Sequence, residues 1–150
     1  MDTPADKLTA TLLQLSAYTQ YFFPLGNFIF PVLLWSAKKH ESKFVDYNGK
    51  QVINFQLSML VYTIVLMIIA IPTFIYSLFN GLEFNYVNRG HWIVEQLSTG
   101  RVTNLVLIGM VASFILIVMK VTEFFLIMYA AIKNTNGLNF KYPLTIKFIK

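Results

Sequence analysis

Lys120 and Glu123 are the residues whose types and spacing most invite chemistry. Three positions apart on a helix, they share one face and can pair. Lys120 also lies 13 residues before Lys133, which is about 20 Å along a helix axis. The residues around it, from Val102 through Met119 and on to Ile132, are overwhelmingly apolar. A lysine at that depth in a bilayer costs about 2.5–3.5 kcal/mol on insertion scales. Such a pair could serve as a proton or ion relay, or as a polar contact to a partner helix. The plainer reading is a self-satisfied pair buried in a bundle. Gly109, Ser113 and Ala131 lie on the same face, and small residues let helices approach closely.

A second candidate is the polar stripe Gln51, Asn54, Ser58 and Tyr62, which recurs at helical spacing. It could line a hydrophilic groove, or it could supply hydrogen bonds between helices. A third is a basic collar. Lys38, Lys39, Lys43 and Lys50 form one part, and Lys133, Lys141 and Lys147 the other. Each lysine near an anionic lipid surface is worth about 1 kcal/mol. The tail from Phe140 to Phe148 alternates between apolar and other residues. That pattern suits an extended segment with one apolar face, and Pro143 keeps it out of a central strand.

Signals of catalysis are sparse. The sequence has no cysteine, no G-x-S-x-G and no phosphate loop. In the topology derived below, His40 and His91 fall on opposite sides of the membrane and cannot share a metal. We therefore expect no enzyme activity, no cofactor and no metal site.

These residues must be positioned by elements suited to their surroundings. Of 150 residues, 56% are hydrophobic, 16% aromatic and only 13% charged. Soluble domains average about 25% charged residues, so the expected class is an all-α integral membrane protein forming one domain. The net charge of +5 then reads as topology and attraction to anionic headgroups rather than nucleic-acid binding. A cleaved signal peptide is not expected, because Met1–Lys7 has no basic region leading into an apolar core.

About 20 apolar residues cross a bilayer. Three stretches qualify, giving expected spans at about 16–37, 52–79 and 103–132. Pro72 is expected to kink the second. Asn134-Thr135-Asn136-Gly137 reads as a helix stop after the third. The first stretch is interrupted by Phe22-Phe23-Pro24-Leu25-Gly26. It reads either as one crossing preceded by an interfacial fourth helix, or as a re-entrant hairpin of 8–23 and 27–37. Lysine distribution places the 38–50 loop and the 133–150 tail in the cytoplasm. The 80–102 loop then faces outward, with Phe84, Tyr86 and Trp92 as interfacial anchors. The expected location is the cytoplasmic (inner) membrane.

The segment from Phe44 to Gln56 (FVDYNGKQVINFQ) resembles the loop-to-helix signature of a family of small bacterial membrane proteins of unknown function. Ala130–Gly137 followed by Tyr142–Ile149 is similar to its tail, and Tyr21–Asn27 to its N-terminal element. The family is similar to the magnetosome proteins MamF and MmsF, and more distantly to a Tic translocon subunit of the chloroplast inner envelope. The resemblance covers 8–149 and departs at 80–104, where the connection is longer. It carries no catalytic residues. Its magnetosome members imply a role in mineral formation, although nothing here resembles an acidic nucleating surface. Its Tic relation implies a translocation component, although about three spans leave little room for a pore within one subunit.

The expected function is a small non-enzymatic membrane protein. It would act through helix packing and its basic face, as a homo-oligomer or an accessory subunit in contact with anionic lipids. The alternatives are a transport, channel or translocation component with Lys120 and Glu123 in the path, and a membrane-stress or lipid sensor.

Overall fold

The computed structural model describes residues 3–80 and 104–150. Every regular element among them is helical. They are α1 (Pro4–Leu15), a 3-10 helix (Ser16–Tyr21), α2 (Gly26–Lys38), α3 (Lys43–Asn80) and α4 (Asn104–Thr135). The expected outer loop, with Phe84, Tyr86 and Trp92, lies outside the described residues. The chain divides into two compact units, one formed by residues 1–61 and 120–150, the other by 62–119.

Among the described residues two helices, α3 and α4, are long and apolar enough to cross a membrane, not three or four. The expected span at 16–37 is not a continuous helix. Its residues form the 3-10 helix, a turn and α2, and α2 packs back against the 3-10 helix and α1. The hairpin reading describes this geometry, and local chemistry accounts for it. Pro24 has no N–H to extend a helix. Leu25 adopts a left-handed φ of 61°. Gly26 then passes so close to Thr19 that an added Cβ would lie 2.7 Å from the Thr19 carbonyl oxygen.

α1 starts on a capping box. The Asp6 N–H donates to Thr3 Oγ1 (3.1 Å), and the Thr3 N–H donates to Asp6 Oδ2 (2.9 Å). The Thr3 hydroxyl also donates to Asp6 Oδ2 (2.7 Å), and this bond together with that from the Thr3 N–H holds the Asp6 carboxyl below its usual range. Ala10, Leu13, Gln14 and Ala17 form the buried face, at the spacing of an amphipathic helix.

α3 begins at Lys43, so most of the expected loop 38–50 is helical. Lysines drew that loop, but the apolar pattern overrides them. Phe44, Val45, Val52, Phe55 and Met59 are buried along one stripe. Trp35 of α2 lies against Gly49, where any Cβ would overlap the indole ring. Pro72 sits within α3, and the helix continues to Asn80.

α4 stops where the sequence indicated. Gly137 takes a φ of 74°, its N–H donates to the Asn134 carbonyl (2.9 Å), and the Leu138 N–H to the Lys133 carbonyl (2.9 Å). This is the paired bonding of a Schellman cap. The tail that follows is extended and irregular.

The unit 62–119 contains the helical segments 62–80 and 104–119, neither of which carries a charge. Ile68, Met110, Val111, Phe114 and Ile117 are all more than half exposed there. Apolar surface on that scale marks a face that lipid or another protein covers.

Candidate functional site

The strongest constellation is a buried polar hub in the unit 1–61 plus 120–150. It joins Gln14 of α1, Asn48 of α3, Asn134 of α4 and Tyr142 of the tail, each 0–2% exposed. The Tyr142 hydroxyl donates to Gln14 Oε1 (2.6 Å), and Gln14 Nε2 donates to Asn134 Oδ1 (2.9 Å). Asn134 Nδ2 donates to Asn48 Oδ1 (2.9 Å) and to the Leu138 carbonyl (3.0 Å). Asn48 Oδ1 also accepts the Phe140 N–H (3.1 Å), while Asn48 Nδ2 donates to the Phe44 carbonyl (2.9 Å) and Asn139 Oδ1 (2.8 Å). Each amide orientation follows from this network. Aromatic rings close over it, with Tyr142 stacked on Phe55 at 4.1 Å and edge-on to Phe140 at 4.8 Å. Burial pushes the Tyr142 phenol well above its ordinary value. Three amides and a protonated phenol can hold four chain segments together. None of them is an acid, base or nucleophile near neutral pH.

A second polar tier lies toward the hairpin turn. Glu123 is 0% exposed. Its Oε2 accepts from Lys120 Nζ (2.7 Å), and its Oε1 from Gln20 Nε2 (3.1 Å). The Tyr18 hydroxyl donates to the Phe124 carbonyl (2.7 Å), and Asn27 Nδ2 to Gln56 Oε1 (2.7 Å). The expected Lys120–Glu123 pair is thus formed, and the 3-10 helix supplies a third member, Gln20. The Lys120 side chain remains 45% exposed.

The stripe on α3 holds the protein's own tail. Ser58 Oγ accepts the Ile146 N–H (2.8 Å). Asn54 Oδ1 accepts the N–H groups of Phe148 (3.0 Å) and Ile149 (2.8 Å), and Asn54 Nδ2 donates to the Ile149 carbonyl (2.9 Å). Asn54 thereby pairs with the tail as a peptide group would. Gln51 and Tyr62 are half-buried on either side of this run.

The collar lysines differ in partners. Lys38 pairs with Glu41 (2.6 Å), and Lys50 with Asp46 (2.7 Å), whose other oxygen accepts from Trp35 Nε1 (2.9 Å). Lys39 lies over the Trp35 ring and Lys133 over the Tyr129 ring. Lys43, Lys141 and Lys147 have no acidic partner within 4.0 Å among the described residues. Among those residues, no group of three or more His, Cys, Asp and Glu side chains is placed to hold a metal.

Of these arrangements, sequence reasoning found the 120–123 pair and the α3 stripe but missed the hub. Asn134 reads in the sequence only as part of a helix stop. No curated protein and no solved structure matches the chain at a significant level. A family profile does, over residues 5–149. That range takes in α1, the hub, both long helices and the tail, so the chain belongs to the magnetosome magnetite crystal formation (MamF/MmsF) family.

Proposed function

We propose that this chain is a non-enzymatic membrane scaffold that works as an oligomer or an accessory subunit. The hub carries this reading. It fixes α1, α3, α4 and the tail through fully bonded amides, and its chemistry suits holding rather than turnover. The family's association with magnetite crystal formation supplies the setting. The chain would contribute to it by organising a membrane. Its described surfaces are basic and apolar, and seven acidic residues in the whole sequence make a poor mineral template. In mild-detergent extracts of native membranes, the tagged chain should run as a discrete assembly above monomer mass. A monodisperse monomer with no stoichiometric companion would overturn the scaffold reading.

The hairpin also supports an orientation. Lys7 packs beside Gly137, and Thr11 Oγ1 lies 3.1 Å from Thr135 Oγ1. The start of α1 therefore lies at the same end of α4 as the tail. With lysines inside, both termini face the cytoplasm and the chain crosses the membrane twice. Reporter fusions at the N-terminus and after Lys150 should both report cytoplasm, and one after Glu95 the outside. An external N-terminal reporter would restore the single crossing over 16–37.

A further inference from the structure

We propose that the groove beside Lys120 binds one anionic phospholipid at the cytoplasmic boundary of the membrane. This inference rests on the membrane reading above and adds a ligand, a site and a depth to it. The depth comes first. The hairpin ties two levels together: Gln14 joins Asn48 and Asn134 at its base, while Gln20 joins Glu123, and Asn27 joins Gln56, near its turn. Gln56 and Glu123 therefore stand at similar heights. The irregular tail reaches nearly the same height, because Ile146 bonds Ser58 and Phe148 bonds Asn54. It carries exposed Lys147 and Lys150 with it.

Irregular, exposed backbone and charge do not sit in hydrocarbon. The hydrocarbon must therefore begin beyond Ser58 on α3. On α4 the matching boundary falls at Lys120, since residues 102–119 hold no charge. The helical part of that run, residues 104–119, spans about 24 Å, approaching the roughly 30 Å hydrocarbon thickness. Lys120 is then the first charge below the bilayer core, at phosphate height. Counting back from Lys133 alone would have buried it mid-membrane.

The site itself is a shallow groove lined by Tyr21, Lys120, Val121, Phe124 and Phe125. An ammonium has three donors. Glu123 takes one of them and is itself completely buried. The outward half of Lys120 faces walls that are otherwise aromatic and aliphatic. A lipid phosphate complements the ammonium, and the glycerol and upper acyl region complement the walls. A free anion would use the charge and leave the walls uncovered.

The test uses the full chain, extracted in mild detergent with added phosphatidylglycerol or phosphatidylcholine, with retained lipid counted by native mass spectrometry. The wild type should keep one phosphatidylglycerol that phosphatidylcholine and inorganic phosphate do not displace. Lys120→Gln, which can still donate to Glu123, should lower that occupancy about tenfold, equivalent to about 1.4 kcal/mol. Phe125→Ala, at an exposed position, should lower it without altering the fold. A double Lys38→Gln, Lys39→Gln variant should leave it unchanged. Equal retention by Lys120→Gln, loss in the collar variant, or displacement by phosphate would each overturn the proposal. A chain stripped from membranes by alkaline wash would instead overturn the membrane reading beneath it.

Discussion

Asn48→Ala is expected to destabilise the folded chain by about 2–4 kcal/mol in detergent unfolding experiments. The Asn48 side chain makes four hydrogen bonds, two given and two taken. Four is nearly everything an amide can offer. Truncation leaves the half-buried Phe140 N–H without an acceptor and removes one of the three bonds that orient Asn134. Each buried polar group left unpaired costs about 1–3 kcal/mol. Asn139 is exposed and can turn to water, so its lost bond adds little. Asn48→Asp should cost more than the alanine at neutral pH despite its matching shape. It replaces two donors with a carboxylate aimed at the Phe44 carbonyl and Asn139 Oδ1, and buries a charge beside them. A cycle with Asn134→Ala should show coupling of about 0.5–3 kcal/mol, the range for residues in one network. A loss below 1 kcal/mol for Asn48→Ala, with no coupling, would mean the hub contributes little to holding the four segments.

The hub also shows where sequence reasoning stops. α4 could be read to its last turn, because the Asn-Thr-Asn-Gly stop acts through local backbone conformation. The stripe Asn54–Ser58 was legible for the same kind of reason, since helical spacing is a local property. Its occupant was not, because Ile146 and Phe148 lie some ninety residues away. Gln14, Asn48 and Asn134 are still less legible. Each is ordinary alone, and their meaning arises only when contacts spanning 86 and 120 residues close. Misplacing the start of α3 has a different cause. Lysines clustered before Gln51 suggested a solvated loop, yet they are compatible with a helix whose opposite face is buried. The first stretch was ambiguous because its length permits a crossing, and hydropathy does not register the direction in which the chain leaves Leu25.

The tail is where packing and hydrogen bonding can be separated by experiment. Tyr142→Ala should cost about 3–5 kcal/mol, the usual range for deleting a buried aromatic ring. It removes the stack on Phe55, the edge contact with Phe140 and the hydroxyl that donates to Gln14 Oε1. Tyr142→Phe keeps the rings and removes only that donor, so its cost should fall to about 1–3 kcal/mol. The pH dependence supplies an independent check. The folded phenol holds its proton well above the ordinary value because it is buried, whereas the unfolded phenol ionises near pH 10. The unfolded state therefore loses its proton first as pH rises. Its contribution to stability is complete below that value and declines as pH rises past it. In Tyr142→Phe this alkaline decline should be shallower than in the wild type. Matching alkaline slopes would show that Tyr142 is reached by water, and a Tyr142→Phe cost equal to that of Tyr142→Ala would show that the ring itself contributes nothing beyond its hydroxyl.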